Sequence, residues 1–89
     1  MNMGKILENI AQQFSLPANA AAGESFVSIT GGKTVRIENH TGLFEYSDEL
    51  IIIGASGRRI SVYGAGMSLD AMNAVSAVIS GEISSVSFE

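Results

Sequence analysis

The sequence has no cysteine, one proline, one histidine and only five basic residues, and each shortage removes a class of function. Without cysteine there is no disulfide framework, no thiolate metal site and no thiol nucleophile, which suits a reducing, cytoplasmic setting. The basic residues are Lys5, Lys33, Arg36, Arg58 and Arg59, and formal net charge is −4. Polyanion binding needs a clustered basic patch, so nucleic acid is not expected as a partner. Arg58-Arg59 reads as a solvated loop pair. No window approaches the roughly 20 apolar residues of a membrane span, and the first residues show no long apolar run. Neither a spanning helix nor a signal peptide is expected.

Charge of either sign is also scarce. Charged residues are 16% of the chain and apolar residues 46%, against a usual charged fraction of about 25%. A single domain this small is short of core, so some apolar surface is expected to end against another subunit or protein.

The lone histidine narrows the chemistry further. His40 has no second His or Cys to share a metal and no nucleophile with a claim on it as a base, so no catalytic, cofactor or metal site is expected. Glu38 and Glu45 do not read as an acid/base pair, because the register below sets Glu45 against Arg36 as an exposed ion pair. The glycine-containing segments at residues 54–57 and 64–66 read as turns between strands. Met67, Leu69 and Met72 read as core packing.

What the chain does have is alternation. In residues 35–48, VRIENHTGLFEYSD, Val35 and Ile37 alternate with Arg36 and Glu38, and Phe44 and Tyr46 alternate around Glu45. Asn39 and Gly42 suit a four-residue turn, predicting a hairpin that pairs Ile37 with Phe44, Val35 with Tyr46 and Arg36 with Glu45. Upstream, Val27 and Ile29 share a face. A two-residue Gly31-Gly32 loop would set Val27 against Arg36, whereas burial sets it against Ile37 and needs an odd loop; burial is expected to prevail. Downstream, a two-residue Ser56-Gly57 loop pairs Ile53 with Ile60 and Ile51 with Val62. Leu50, Ile52 and Tyr63, beside Ser61, then fall on the opposite face, which makes a strand apolar on both sides that something must cover.

Two regions read less simply. Residues 67–80 carry Leu69, Met72, Val75 and Ile79 near helical spacing, with Ser68 as an N-cap and Gly81 past the end. The competing reading splits the segment at Asn73 into two strands. At the end of the chain, Ile79 and Ile83 share one parity and Val86 and Phe88 the other, so a bulge near Ser84-Ser85 is needed for all four to face inward. At the other end, Met3, Ile6, Leu7, Ile10 and Phe14 predict an amphipathic helix over residues 3–14, stopped by Pro17. The expected organisation is helix and linker over 1–22 and a β domain over 23–89.

The fold class expected is therefore all-β with a short N-terminal helix. The β domain is expected as an antiparallel meander of about six to eight strands forming a small sandwich or rolled sheet. A short β-solenoid is the alternative, though no strict period supports it.

The run IENHTGLFEYSDE, followed by LIIIG, ISVYGAGMSLDAM and VISGEISSVSF, resembles the YabP/YqfC family of sporulation proteins. The matching positions are Glu38, Asn39, His40, Gly42, Glu45 and Tyr46, then Ile79, Gly81, Ile83, Val86 and Phe88, with Leu16-Pro17 upstream. The Ala/Ser-rich stretch 68–80 departs from the more β-branched, charged pattern of relatives. The resemblance implies strands over residues 67–80 and a small protein of endospore-forming bacteria, often encoded beside a multi-spanning membrane protein. It brings no catalytic residues.

The function expected is a non-enzymatic sporulation module without cofactor that forms a homo-oligomer or docks a membrane-protein partner. Its expected place is the cytoplasm, peripheral at the forespore membrane. The interaction residues expected are Asn39, His40 and Gly42 in the turn and Leu50, Ile52 and Tyr63 on the second face. The alternative is a small carrier of apolar ligands or lipid.

Overall fold

The computed structural model describes residues 24–89, and among them every element is a strand or the turn between strands. The helix expected over residues 3–14, and the linker to residue 22, lie outside the described residues. The strands are β1 Phe26–Thr30, β2 Thr34–Glu38, β3 Gly42–Tyr46, β4 Leu50–Ala55, β5 Arg58–Met72 and β6 Ser76–Phe88. They form one open antiparallel sheet in the order β1-β2-β6-β5-β4-β3, with β1 and β3 at the edges.

Two hairpins stand where alternation places them. Val27 lies opposite Ile37, and Thr30 opposite Thr34, so the connection is the odd loop Gly31-Gly32-Lys33. Burial sets this register, because a one-residue slip would turn Val35 and Ile37 out of the core. In the second hairpin Ser56 and Gly57 have φ of 53° and 76°, the left-handed pair that a tight two-residue connection uses. Ile53 then faces Ile60 and Ile51 faces Val62.

Residues 67–80 are strands. Asn73 makes the break: its Oδ1 accepts from Val75 N and Ser76 N, each at 2.8 Å, a side-chain turn that substitutes for backbone pairing. Ala77 and Ile79 are buried at period two against β2. Tertiary pairing here outweighs the helix preference of the alanines.

The hairpin expected over residues 35–48 does not form, and the sheet is not a meander. β2 pairs with β1 and β6, and β3 pairs with β4. Ile37 faces Ala77, Val35 faces Ile79, and Tyr46 faces Ile51. Arg36 meets a different carboxylate: its Nε donates to Glu38 Oε1 at 2.6 Å, two residues along the same strand. The physical reason is burial. Between β1 and β6, Val35 and Ile37 reach zero exposure, whereas Phe44 and Tyr46 stay 55% and 53% exposed on the strand that was to cover them.

Gly64-Ala65-Gly66, expected as a turn, does not turn the chain back. β5 runs through it, and the β5–β6 ladder shifts register there: Ala65 faces Glu82 but Ser68 faces Ser80. Tyr63 faces Ser85 while Gly64 faces Ile83, leaving Ser84 as the extra residue that the parity of Ile83 and Val86 requires. Both flanking turns clamp this bend. Gly81 N and Ile83 N donate to Lys33 O and Gly32 O, and Gly64 N and Met67 N donate to Glu49 O and Asp48 O.

The bend explains the core. Val35, Ile37, Ala77 and Ile79 come from one half of the sheet and Ile51, Ile53, Ile60 and Val62 from the other, all at 1% exposure or less. One face of a flat sheet cannot be sealed by its own side chains, so the sheet curls until the two halves cover each other. Met67 at the bend closes one side, 4% exposed. Ser25 N donating to Ser56 Oγ at 3.0 Å ties the start of β1 to the β4–β5 turn.

Candidate functional site

The six residues expected to carry interaction fall into two places joined by β4. Asn39, His40 and Gly42 form a corner between the two halves of the sheet. His40 N donates to Val75 O at 3.2 Å on one half, and Thr41 N to Gly54 O at 2.7 Å on the other. Asn39 takes φ 59° and Gly42 φ 136°; the first is tolerated by Asn and the second suits only glycine. Asn39 Nδ2 donates to Glu24 O at 3.0 Å.

His40 works inward. Its Nε2 lies 2.6 Å from Asn73 O, and a carbonyl can only accept, so Nε2 carries the proton in that bond. Its buried Nδ1 has no hydrogen-bond partner among the described residues. The imidazole thus fastens the corner to the β5–β6 turn. His40→Ala is expected to cost about 1–3 kcal/mol, the bond plus an orphaned carbonyl. Urea denaturation would measure it, and a midpoint unchanged from wild type would contradict this role.

Leu50, Ile52 and Tyr63 lie on the outer face. Leu50 stands opposite Tyr63 and Ile52 opposite Ser61, while Ser61 and Tyr63 face Ser87 and Ser85 on β6. Tyr63 is 39% exposed, and Leu50 and Ile52 are half-buried. Ser61 beneath them is fully buried, and its hydroxyl has no partner among the described residues.

Two residues that the sequence reading placed elsewhere belong to this strip. Leu43 faces Ile53 and Glu45 faces Ile52, so Phe44 is the extra residue of a bulge. Its ring covers Gly54: a Cβ there would lie 2.5 Å from Phe44 Cε2 and 2.6 Å from Thr41 Oγ1. The Arg59 guanidinium sits over the ring, 4.8 Å from its centroid, a cation–π contact. The available signal was Gly54, since a glycine inside a strand marks close approach of another group. Arg58 lies over Phe88 at 5.6 Å. Arg58 and Arg59 are therefore the first residues of β5, each stacked on a ring, and not the solvated loop expected.

Among the described residues no group of three or more His, Cys, Asp or Glu could hold a metal ion. Asp70, on an exposed surface, is held below its ordinary value by hydroxyl donation from Ser80 and then Ser68. A depression at the bend, lined by Lys33, Thr34, Ala65, Ser80 and Glu82, is open to solvent and crossed by the Lys33–Glu82 ion pair.

No helix among the described residues is long and apolar enough to cross a membrane. No curated protein and no solved structure matches this chain. The model of one family does match, over residues 21–89, which takes in both the corner and the outer strip. The chain belongs to the YabP family, and that membership associates it with sporulation.

Proposed function

We propose that this chain is a non-enzymatic docking module of endospore formation, seating a protein partner on the outer face of β4 and β5 and also associating with itself. The observation that supports it most is the outer strip: Leu50, Ile52, Tyr63 and Phe44 under Arg59, bordered by Glu45, Ser85 and Ser87. Interface centres are rich in aromatic residues and Arg and poor in other charges, with a polar rim, and this strip has that composition. The partner proposed is a membrane protein, which would hold the chain peripherally at the forespore membrane. The apolar-ligand reading needs an enclosed pocket, whereas the described core residues pack on one another.

Ile52→Ser with Tyr63→Ser tests this. Both side chains point outward, so the far-UV spectrum is expected to stay that of wild type. Loss of a central tyrosine contact costs about 2 kcal/mol or more, roughly thirtyfold in affinity. Spore yield of a strain carrying the double variant is expected to fall, together with its co-purification with the membrane partner. A folded double variant that sporulates like wild type would overturn the proposal.

A further inference from the structure

The two edges of the sheet differ. β3, Gly42–Tyr46, carries a bulge at Phe44 and the charge of Glu45, two devices that prevent edge-to-edge pairing. β1, FVSIT, carries no charge, no proline and no bulge against β2. Its backbone orientation is settled by the turn. Lys33 N donates to Thr30 O at 3.0 Å, so Thr30 and Ser28 exchange bonds with β2. Val27 and Ile29, one residue out of phase, direct N–H and C=O to the open side. Among the described residues no strand pairs there. The Ile29 side chain is on the core side of the sheet yet 53% exposed.

We infer that β1 pairs with β1 of a second copy of this chain, antiparallel about a two-fold axis at Ser28. This register sets Val27 against Ile29 of the second copy, and Ile29 against its Val27. The residues with outward backbone groups are thus the ones that meet, making four hydrogen bonds, while Ser28 faces Ser28 on the outer side. Registers centred on Val27 or Ile29 lose half of these bonds. Apolar meets apolar on the core-side face, as an isologous interface requires. Charge agrees: the same register brings Glu24 opposite Gly32 of the other copy, beside its Lys33, and sets no like charges together. Two sheets joined this way become one sheet of twelve strands, since the described residues of each copy supply six. Pairing of five-residue strands buries less than the roughly 1,200 Å² of a standard interface, so the dimer is reversible and concentration-dependent.

The inference rests on the self-association part of the proposed function and is independent of the outer strip. Sedimentation velocity on the full chain, over about a hundredfold range of concentration, reads it. Wild type is expected to pass from monomer to dimer. Ser28→Lys and Ser28→Glu, each placing like charges at the two-fold axis, are each expected to stay monomeric, and their equimolar mixture to recover the dimer. A wild type that stays monomeric, or a dimer retained by both single variants, would overturn the inference. Ser28 faces Arg36 on β2, so Ile29→Pro serves where Ser28→Lys folds poorly. It removes an outward N–H without touching the β2 ladder, and a dimer of that variant overturns the inference equally. The outer-strip variant Tyr63→Ser is expected to dimerise like wild type, which separates failure here from failure of partner docking.

Discussion

Gly81→Ala is expected to lower the melting temperature by roughly 12 °C or more, because one added methyl group meets both close backbone atoms and an unfavourable φ. Gly81 lies where β6 crosses the bend of β5, between Ser80 facing Ser68 and Glu82 facing Ala65. Its φ is 149°, and a Cβ there would stand 2.7 Å from Met67 Cα, 2.9 Å from Met67 Cγ and 3.0 Å from Gly66 O. Two of those atoms are backbone and cannot swing aside. Overpacking costs about 1–3 kcal/mol and the unfavourable backbone conformation about as much again, together near 3 kcal/mol or more. Each kcal/mol moves the midpoint of a domain this size by about 4–8 °C.

Gly57→Ala is the control. Gly57 also has a left-handed φ, 76°, but its Cβ would meet nothing within 4 Å, so conformational strain alone acts, about 1 kcal/mol. Scanning calorimetry on both variants decides. A Gly81→Ala midpoint no lower than that of Gly57→Ala would show that β5 and β6 do not cross as closely as the curled sheet requires.

The bend that Gly81 permits is also the part of the fold that local sequence pattern does not encode. Glycines in a strand-like run signal either a turn or a bulge, and Gly64 and Gly66 give no internal means to choose. The choice is made by Gly81 on the other strand, fifteen residues past Gly66 and invisible locally. Strand identity was legible because Val/Ile alternation is a property of each segment alone: Val27, Val35, Ile37, Ile51, Ile53, Ile60 and Val62 all face as their parity demands. Register was legible wherever a short turn joined neighbours, at Gly31-Gly32-Lys33 and Ser56-Gly57.

Strand order was not legible. Residues 35–48 offer apolar and charge pairings that satisfy every local rule, but β6 satisfies the same rules with more burial, and nothing in the spacing ranks the two. The outer strip divides the same way. Leu50, Ile52 and Tyr63 were placed by the Ser56-Gly57 turn, while Phe44 and Arg59 depend on a bulge in a strand whose partner was misassigned.

Ile37→Ala tests the strand order in energetic terms, with an expected loss of about 2–5 kcal/mol. Ile37 has zero exposure and stands between Val27 on β1 and Ala77 on β6. With alanine already on one side, little can move in to fill the space, so a cavity persists and the cost sits above simple transfer of the lost methylenes. An exposed site such as Val75→Ala, where Val75 is 51% exposed, is expected within about 0.5 kcal/mol of wild type.

A double-mutant cycle then asks which residue Ile37 touches. With Val27→Ala the coupling is expected at about 0.5 kcal/mol or more, because the two lie directly opposite; with Phe44→Ala the effects are expected to add within about 0.5 kcal/mol. The hairpin that residues 35–48 suggest keeps Val27 opposite Ile37 but adds strong coupling of Ile37 with Phe44, so the Phe44 cycle decides between the two. Chemical denaturation of the three single and two double variants beside wild type separates the two, since only a β2 held between β1 and β6 leaves Phe44 free to lie on the outer face under Arg59.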